Sequence, residues 1–449
     1  MMHQRLFAAW PAFVVAVASA VCAPVLVGCE GSKPTPQAPV QPYYPPQPMP
    51  MLPGAAAANA PQPQYGVVDV PPAGADTKKM NTRATAAYAQ GLTAFKNGEL
   101  KQAETFFAQA TAADPQAYQA HYSLGAVRAR MGKRSALDSF RRAFDIVPEY
   151  DRAVVAHAMF QAKSGELSAA DSFLVRRRGK RPKSAAITAA LAEVKSLQRD
   201  SASAQELAQQ ALKLDPTFSP AMMTIARDHY RNRRLDLSLY ALRAILDGFG
   251  AGDPARDKNN AEAHLLRAFI FAEQDNRIGA MASFKRALSL RPDMVVARLR
   301  YATYLLESGA AAEALPILKK ALKYEPENVA AHLSLGDAYR LTQDYQKAKQ
   351  EFDWVKGRDS SMPQVYYNLG LLYLFAPKVA GMNEKQQVTA AINAFTRFKE
   401  LRPKSERSDV DQLLSRANLK KAEIEAIEAA NKPQPVPAPA PAPAPAPAG

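Results

Sequence analysis

The chain has 449 residues and a formal net charge of +15, too long for one ordinary globular core unless it grows by stacking similar units. The charge favours acidic partners, anionic head groups or nucleic acid without choosing among them. Its only cysteines, Cys22 and Cys29, sit in an N-terminal apolar stretch, which excludes a disulfide, a redox thiol or a Cys nucleophile from the rest of the chain.

Residues 1–28 read as an export segment. Met1 to Arg5 is weakly positive, and Leu6 to Val27 is mostly apolar but broken by Pro11 and Pro24, which suits a signal better than a membrane span. The run ends in Leu26-Val27-Gly28-Cys29, followed by Glu30. These residues resemble the lipobox of bacterial lipoproteins. That resemblance implies cleavage before Cys29, diacylation of its thiol and acylation of the new amino terminus; several acyl chains anchor durably where one does not. Because Glu30 rather than Asp follows, it also implies an outer-membrane lipoprotein facing the periplasm. Ordinary cleavage after Ala20 or Ala23, or retention as an uncleaved anchor, are the other outcomes these residues allow.

Residues 29–80 form a Pro-rich linker. Of the 35 prolines, 13 fall between Ser32 and Asp76 and 8 follow Asn431, so neither stretch can build a packed core. As polyproline, Ser32 to Asp76 reaches up to roughly 140 Å.

Residues 81–403 carry an internal period. Prolines at 115, 148, 182 and 216 are spaced by 33, 34 and 34, and Pro292 to Pro326 again by 34. Within a unit, a small residue sits early, an Ala opens a second helix, and a large apolar residue follows four later. Gly91, Ala103, Phe107 and Pro115 set this out in the first unit; Gly336, Ala348 and Phe352 repeat it in the eighth. Units three to five are degenerate: Arg177 replaces a small residue, the fourth packs mostly through alanine, and a Gly-rich loop spans Asp247 to Asn260. The ninth has about nine extra residues between its helices.

This pattern is similar to the tetratricopeptide-repeat family. The resemblance implies an all-α, right-handed superhelical solenoid of about nine helical hairpins, roughly one superhelical turn. Small residues at the Gly91 and Ala103 positions let helix axes approach, and Pro115 ends the second helix. Residues 404–431 follow as a capping helix, with a stripe of Val410, Leu413, Leu414, Ala417, Ile424 and Ile427 to cover the last hairpin. Residues 432–449 are a Pro-Ala spacer.

On each first helix, positions 2, 5, 9, 12 and 13 form a stripe about 200° from the packing stripe. In the family this second stripe lines a concave groove for a partner peptide. Carried over, the groove residues are Tyr88, Phe95, Tyr122, Arg130, Arg227, Tyr230, Phe269, Leu299, Leu306, Leu333, Leu341, Tyr367, Leu374 and Phe375. The first five units place six basic residues here against Glu193; the last four place Glu262, Glu273, Glu307 and Asp337 against Arg340. A partner with an acidic stretch and an apolar anchor matches such a surface.

Arg176, Arg177, Arg178, Lys180, Arg181 and Lys183 form a basic run, read as a solvated inter-repeat turn or a site for acidic lipid or polymer. Gly132-Lys133 lacks the earlier glycine and the strand of a phosphate loop. His121, His157, His229, His264 and His332 are scattered rather than at metal-ligand spacing. No nucleophile with partners emerges. The expectation is a non-enzymatic scaffold with no cofactor, metal, nucleic acid or small-molecule substrate. It is tethered to the membrane and binds envelope proteins through the groove, similar in architecture to repeat-bearing lipoproteins that support pilus secretins or gliding motility. The alternative is a cell-wall-associated lipoprotein that holds anionic polymer on its basic surface.

Overall fold

The computed structural model describes residues 79–402 and 409–431, all within one unit of the chain, Pro63–Gly449. The export segment, Cys29, the linker to residue 78, residues 403–408 and the Pro-Ala tail from 432 lie outside the described residues.

Among the described residues, nine antiparallel helical hairpins follow in chain order. They are α1 (Thr82–Asn97) with α2 (Leu100–Ala113), α3 (Tyr118–Arg130) with α4 (Ala136–Ile146), α5 (Asp151–Lys163) with α6 (Leu167–Lys180), and α7 (Ala185–Leu197) with α8 (Ser201–Leu214). Next come α9 (Ser219–Arg231) with α10 (Leu235–Leu246), α11 (Ala261–Glu273) with α12 (Arg277–Leu290), and α13 (Val295–Glu307) with α14 (Ala311–Tyr324). The last two are α15 (Val329–Leu341) with α16 (Tyr345–Arg358) and α17 (Pro363–Phe375) with α18 (Glu384–Leu401), before a nineteenth helix, α19 (Val410–Ala430). The all-α repeat array is therefore as expected. One departure lies in the Gly-rich loop, where β1 (Gly248–Gly250) pairs antiparallel with β2 (Asp253–Pro254). Gly248 and Gly250 both take positive φ there, which permits so tight a turn.

Most hairpins close on one contact between a small residue and a large one, about sixteen residues apart, or 25 in the last, where the inserted loop intervenes. A Cβ on Gly336 would stand 2.5 Å from the Phe352 ring, and the same clash arises at Gly91 with Phe107, Gly125 with Phe140 and Gly370 with Phe395. Where the small residue is Ala158, Ala226 or Ala302, its counterpart is Leu174, Leu242 or Leu318, all buried. Volume is thus traded across the pair to hold the axes close; the exceptions are Ala268 opposite Phe284 and the two small residues Ala192 and Ala208 of the fourth hairpin.

The degenerate middle units tighten the winding. Helix α7 is buried almost all round, Glu193 included, and α5 and α9 both pack directly on it. Ala189, Ala190 and Ala192 are small enough for three first helices to converge. Between repeats, a side chain six residues after a turn carbonyl recurrently donates back to it. His121 Nε2 reaches Pro115 O (3.2 Å), His264 Nε2 reaches Lys258 O (3.1 Å), and His332 Nε2 reaches Pro326 O (2.9 Å). Arg298 on Pro292 O (2.9 Å) and Tyr366 on Ser360 O (3.0 Å) do the same, satisfying turn carbonyls that lie outside the helical ladders.

The capping helix is shorter in its grip than its stripe implies. Val410 and Ala417 are buried, but Leu419 is 73% and Ile427 55% exposed. Beyond Ala417 it is held alongside α18 by surface pairs, Lys385 Nζ to Glu428 (2.6 Å) and Lys420 to Glu384 (3.3 Å), which contribute little.

The winding brings the ends of the first hairpins back against a later pair. Arg130 donates to the Asp293 carboxylate and to its carbonyl (2.7 Å). Tyr324 Oη donates to Lys96 O at 3.0 Å, and Gly98 sits against the backbone of Lys323. Asp293 and Tyr324 are fully buried in this seam.

If the traded volume sets the hairpin, Gly336→Ala should destabilise the array by roughly 1–3 kcal/mol through overpacking. Adding Phe352→Leu should cost less in that background than in the wild type. Urea unfolding of the four proteins gives the coupling; purely additive costs would contradict it.

Candidate partner-binding surface

The sequence assigns the groove to the outward stripe of the odd-numbered helices, and the structure divides that stripe into a covered part and an open part. At the N-terminal end, side chains pair across neighbouring repeats. Tyr88 Oη meets Ser123 Oγ at 3.1 Å. Tyr122 is 6% exposed; it packs edge-on to Tyr150 and accepts a hydrogen bond from Arg152 Nε at 3.0 Å. Phe95 is 1% exposed, with the Arg130 guanidinium 5.7 Å over its ring. Phe95 and Tyr122 are therefore core residues rather than open groove, because neighbouring first helices and the seam close over them. Arg130 is spent on Asp293.

The basic bias expected of the first half is neutralised internally at Arg130, Arg227 and Arg231. Arg231 pairs with the buried Glu193, and Arg227 lies 3.7 Å from both Glu193 and Glu262. Glu262 continues to Arg291 (2.5 Å), and Arg291 to Asp293 (3.3 Å). A chain of alternating charges thus runs from α7 to the seam: Arg231, Glu193, Arg227, Glu262, Arg291, Asp293, Arg130. Burial alone would lower the Arg291 pKa, but Asp293 and Glu262 together raise it. Next to this chain, Asp228 is buried yet held below the usual carboxylate range by hydrogen bonds from Ser201, Gln205 and Ser196. Tyr230 donates to Glu273, and burial with that carboxylate pushes its phenol up to about 12.

Farther along, Phe269 packs edge-on to Phe284 at 5.6 Å, below Arg300 at 5.8 Å. Leu299, Leu306 and Leu333 are half-buried, flanking the last core cluster. Tyr367 Oη donates to Asp409 of the capping segment at 3.0 Å; burial and that carboxylate raise its pKa. Leu374 is buried rather than accessible, 5% exposed, in a cluster with Ala376 and Val379 of the loop inserted after α17. What stays open is Leu341 at 43% and Phe375 at 44% exposed, at equivalent positions of adjacent helices. Arg416 of α19 stands 4.9 Å over the Phe375 ring. The acids of this half are engaged, Glu307 by Arg277 and Asp337 by Arg340 (2.6 Å). The open end is therefore apolar with nearly balanced charge.

The basic run also divides. Arg177 stacks on Phe144 (4.1 Å) and Phe173 (5.3 Å), Arg178 donates to Gln210 (2.6 Å), and Arg181 pairs with Asp151 (3.1 Å). These three are structural. Arg176, Lys180 and Lys183 are exposed. Among the described residues no group of three or more His, Cys, Asp or Glu could hold a metal ion.

Residues 88–150 and 305–360 each match the tetratricopeptide repeat family. A TPR repeat-containing protein, YpiA of Bacillus subtilis (strain 168), is 34% identical over 125 residues, 28% of this chain. The chain spans about a quarter of that relative's length, 27%. Among solved structures, the Cut9–Hcn1 hetero-tetramer of APC/C gives a TM-score of 0.47 at 14% identity, over 78% of this chain and 79% of that one. Pseudomonas aeruginosa PilF gives 0.32 at 19% identity, over 51% and 100%.

His157 makes the array acid-sensitive. It is 3% exposed, wedged between Phe144 and Phe173, and neither ring nitrogen has a hydrogen-bond partner among the described residues. Burial, with Arg141 and Arg177 nearby, pushes its pKa down to about 4. The unfolded chain then binds the extra proton between about pH 4 and 6.5, so stability falls as pH drops through that window. The loss should reach ~3 kcal/mol for this group. His157→Phe should flatten the slope of unfolding free energy against pH in that window; an unchanged slope would contradict the assignment.

Proposed function

We propose that this tetratricopeptide-repeat protein is a non-enzymatic scaffold held at a bacterial envelope membrane by acylated Cys29. There it assembles a larger machine of the motility, pilus or secretion type by binding envelope proteins through the open concave end of its array. Tetratricopeptide repeats bind protein partners, and the coarse role follows from the repeats themselves. The observation that carries the finer one is the contrast within a single stripe. Most of the N-terminal two-thirds is covered or charge-paired, whereas Leu341 and Phe375 remain open on adjacent helices, beside half-buried Leu299, Leu306 and Leu333. Exposed apolar side chains gathered on one face mark an interaction site, and an amphipathic helix or an apolar extended segment fits a groove between α13, α15 and α17. The Leu26-Val27-Gly28-Cys29 sequence supports the tether, and the outer membrane facing the periplasm is the compartment it suits.

A second reading rests on Arg176, Lys180 and Lys183, which are exposed and have no acidic partner among the described residues. A basic surface of this kind fits an anionic envelope polymer, with binding that weakens as salt rises.

Two results test the tether and then the binding surface. Cys29→Ser should shift the protein from the membrane to the soluble fraction of fractionated cells and abolish palmitate labelling. In cross-linked membranes, Leu341→Asp with Phe375→Asp should lose the captured envelope protein tenfold or more, since truncating central apolar anchors costs at least ~2 kcal/mol. Charge reversal at Arg176, Lys180 and Lys183 should leave capture intact. The opposite pattern would overturn the groove reading in favour of the basic surface.

A further inference from the structure

The seam between the first hairpins and the α12–α14 region is a small contact between distant parts of the array. Its polar contacts are the Arg130 guanidinium on Asp293 and the Tyr324 hydroxyl on Lys96 O. Its steric contact is Gly98, whose added Cβ would stand 3.0 Å from the backbone and Cβ of Lys323. One wall is crowded with cations: Lys320, beside Lys323 and Arg298, has its pKa lowered by burial and by both of those neighbours. Against that repulsion stand the two Arg130 bonds to Asp293 and the Tyr324 bond to Lys96 O. By contrast, successive hairpins elsewhere join along whole helices through continuous apolar clusters. A solenoid contacts only its sequence neighbours, so a contact this small can part without unfolding either side.

We infer that this seam is a reversible clasp. Closed, it holds the first hairpins against the turn before α13 and the end of α14. It also covers Phe95 and Asp293, at one end of the charged inner wall that continues through Arg291, Glu262, Arg227 and Glu193. Open, it adds Arg130 and Asp293 to a wall on which the Arg227 and Glu262 side chains are already 32% and 41% exposed, completing a second, charged interaction surface separate from the apolar end of the array. A partner segment bearing carboxylates can then take Arg130 and Arg291 from Asp293 and Glu262, because an Arg fork binds any carboxylate of the right geometry.

Gly98→Leu tests the clasp in the full chain, because its side chain must enter the seam. Gly165→Leu is the matched control: φ is +85° at Gly98 and +86° at Gly165, but nothing lies within 4 Å of a Cβ at Gly165. The two substitutions therefore carry the same backbone strain, and only one meets a neighbour. Small-angle scattering should give a larger radius of gyration for Gly98→Leu than for Gly165→Leu. Hydrogen exchange at Asp293 and Met294 should quicken on the order of tenfold or more, with helicity by circular dichroism unchanged. Should Gly98→Leu lose helicity, Asp293→Asn with Tyr324→Phe decides in its place, since it removes the seam's ion pair and its hydroxyl bond and adds no bulk. The clasp is overturned if the folded variant keeps the control's radius and exchange rate. It is equally overturned if the seam parts only when helicity is lost, which makes it part of one rigid core.

Discussion

The array depends on how closely the two helices of a hairpin can approach. Gly336 against the Phe352 ring, or Ala302 against Leu318, sets the axis separation at the crossing point. Every later feature inherits it: the outward stripe faces one way only because each hairpin repeats the same geometry. Where the pair shrinks further, in the alanine-packed fourth repeat, three first helices meet around α7 and the curvature tightens. That tightening is what carries the chain round far enough for Arg130 to reach Asp293 across 163 residues of sequence.

Curvature then decides what the concave face can do. In a gently wound solenoid all the stripe residues would be available together. Here the tight middle presses neighbouring first helices close enough to pair Arg227 with Glu193 and Glu262, and the seam covers Phe95. Charges that look like a recognition surface in one dimension are satisfied by each other in three. The apolar end escapes this because α13, α15 and α17 are followed by a single capping helix. That helix engages Tyr367 through Asp409 and stands over Phe375 through Arg416, yet leaves Leu341 and much of Phe375 open.

Much of this is legible in the sequence. The 34-residue period, the Gly–Phe and Ala–Leu pairs and the inserted loop after Phe375 are local, and a periodic pattern reports them directly. The turn at residues 248–254 reads in sequence as an irregular loop because five residues of strand carry no alternation to detect. Phe95, Tyr122 and Leu374 differ from their expected places because helical register says which way a side chain points, not what arrives opposite it. The partners that bury them, Arg130 with the distant Asp293, Tyr150 of the next repeat, and Val379 of the inserted loop, depend on the winding. The recurring bond from a side chain such as His332 to the carbonyl six residues earlier is present as a spacing. It is carried by His, Arg and Tyr alike, so composition hides it. His157, which resembles the other histidines in sequence, differs in three dimensions by being buried with both ring nitrogens unpaired among the described residues.

Where a partner touches the chain is the most direct test of the open apolar end as the binding surface. A photo-crosslinking amino acid placed at Leu341, and separately at Val175, which is 50% exposed beside the basic run, reports this in intact cells whatever the partner is. Binding at the apolar end gives a discrete protein adduct from position 341 and none from position 175. An adduct confined to position 175 would contradict it and move the binding surface to the basic face of α6.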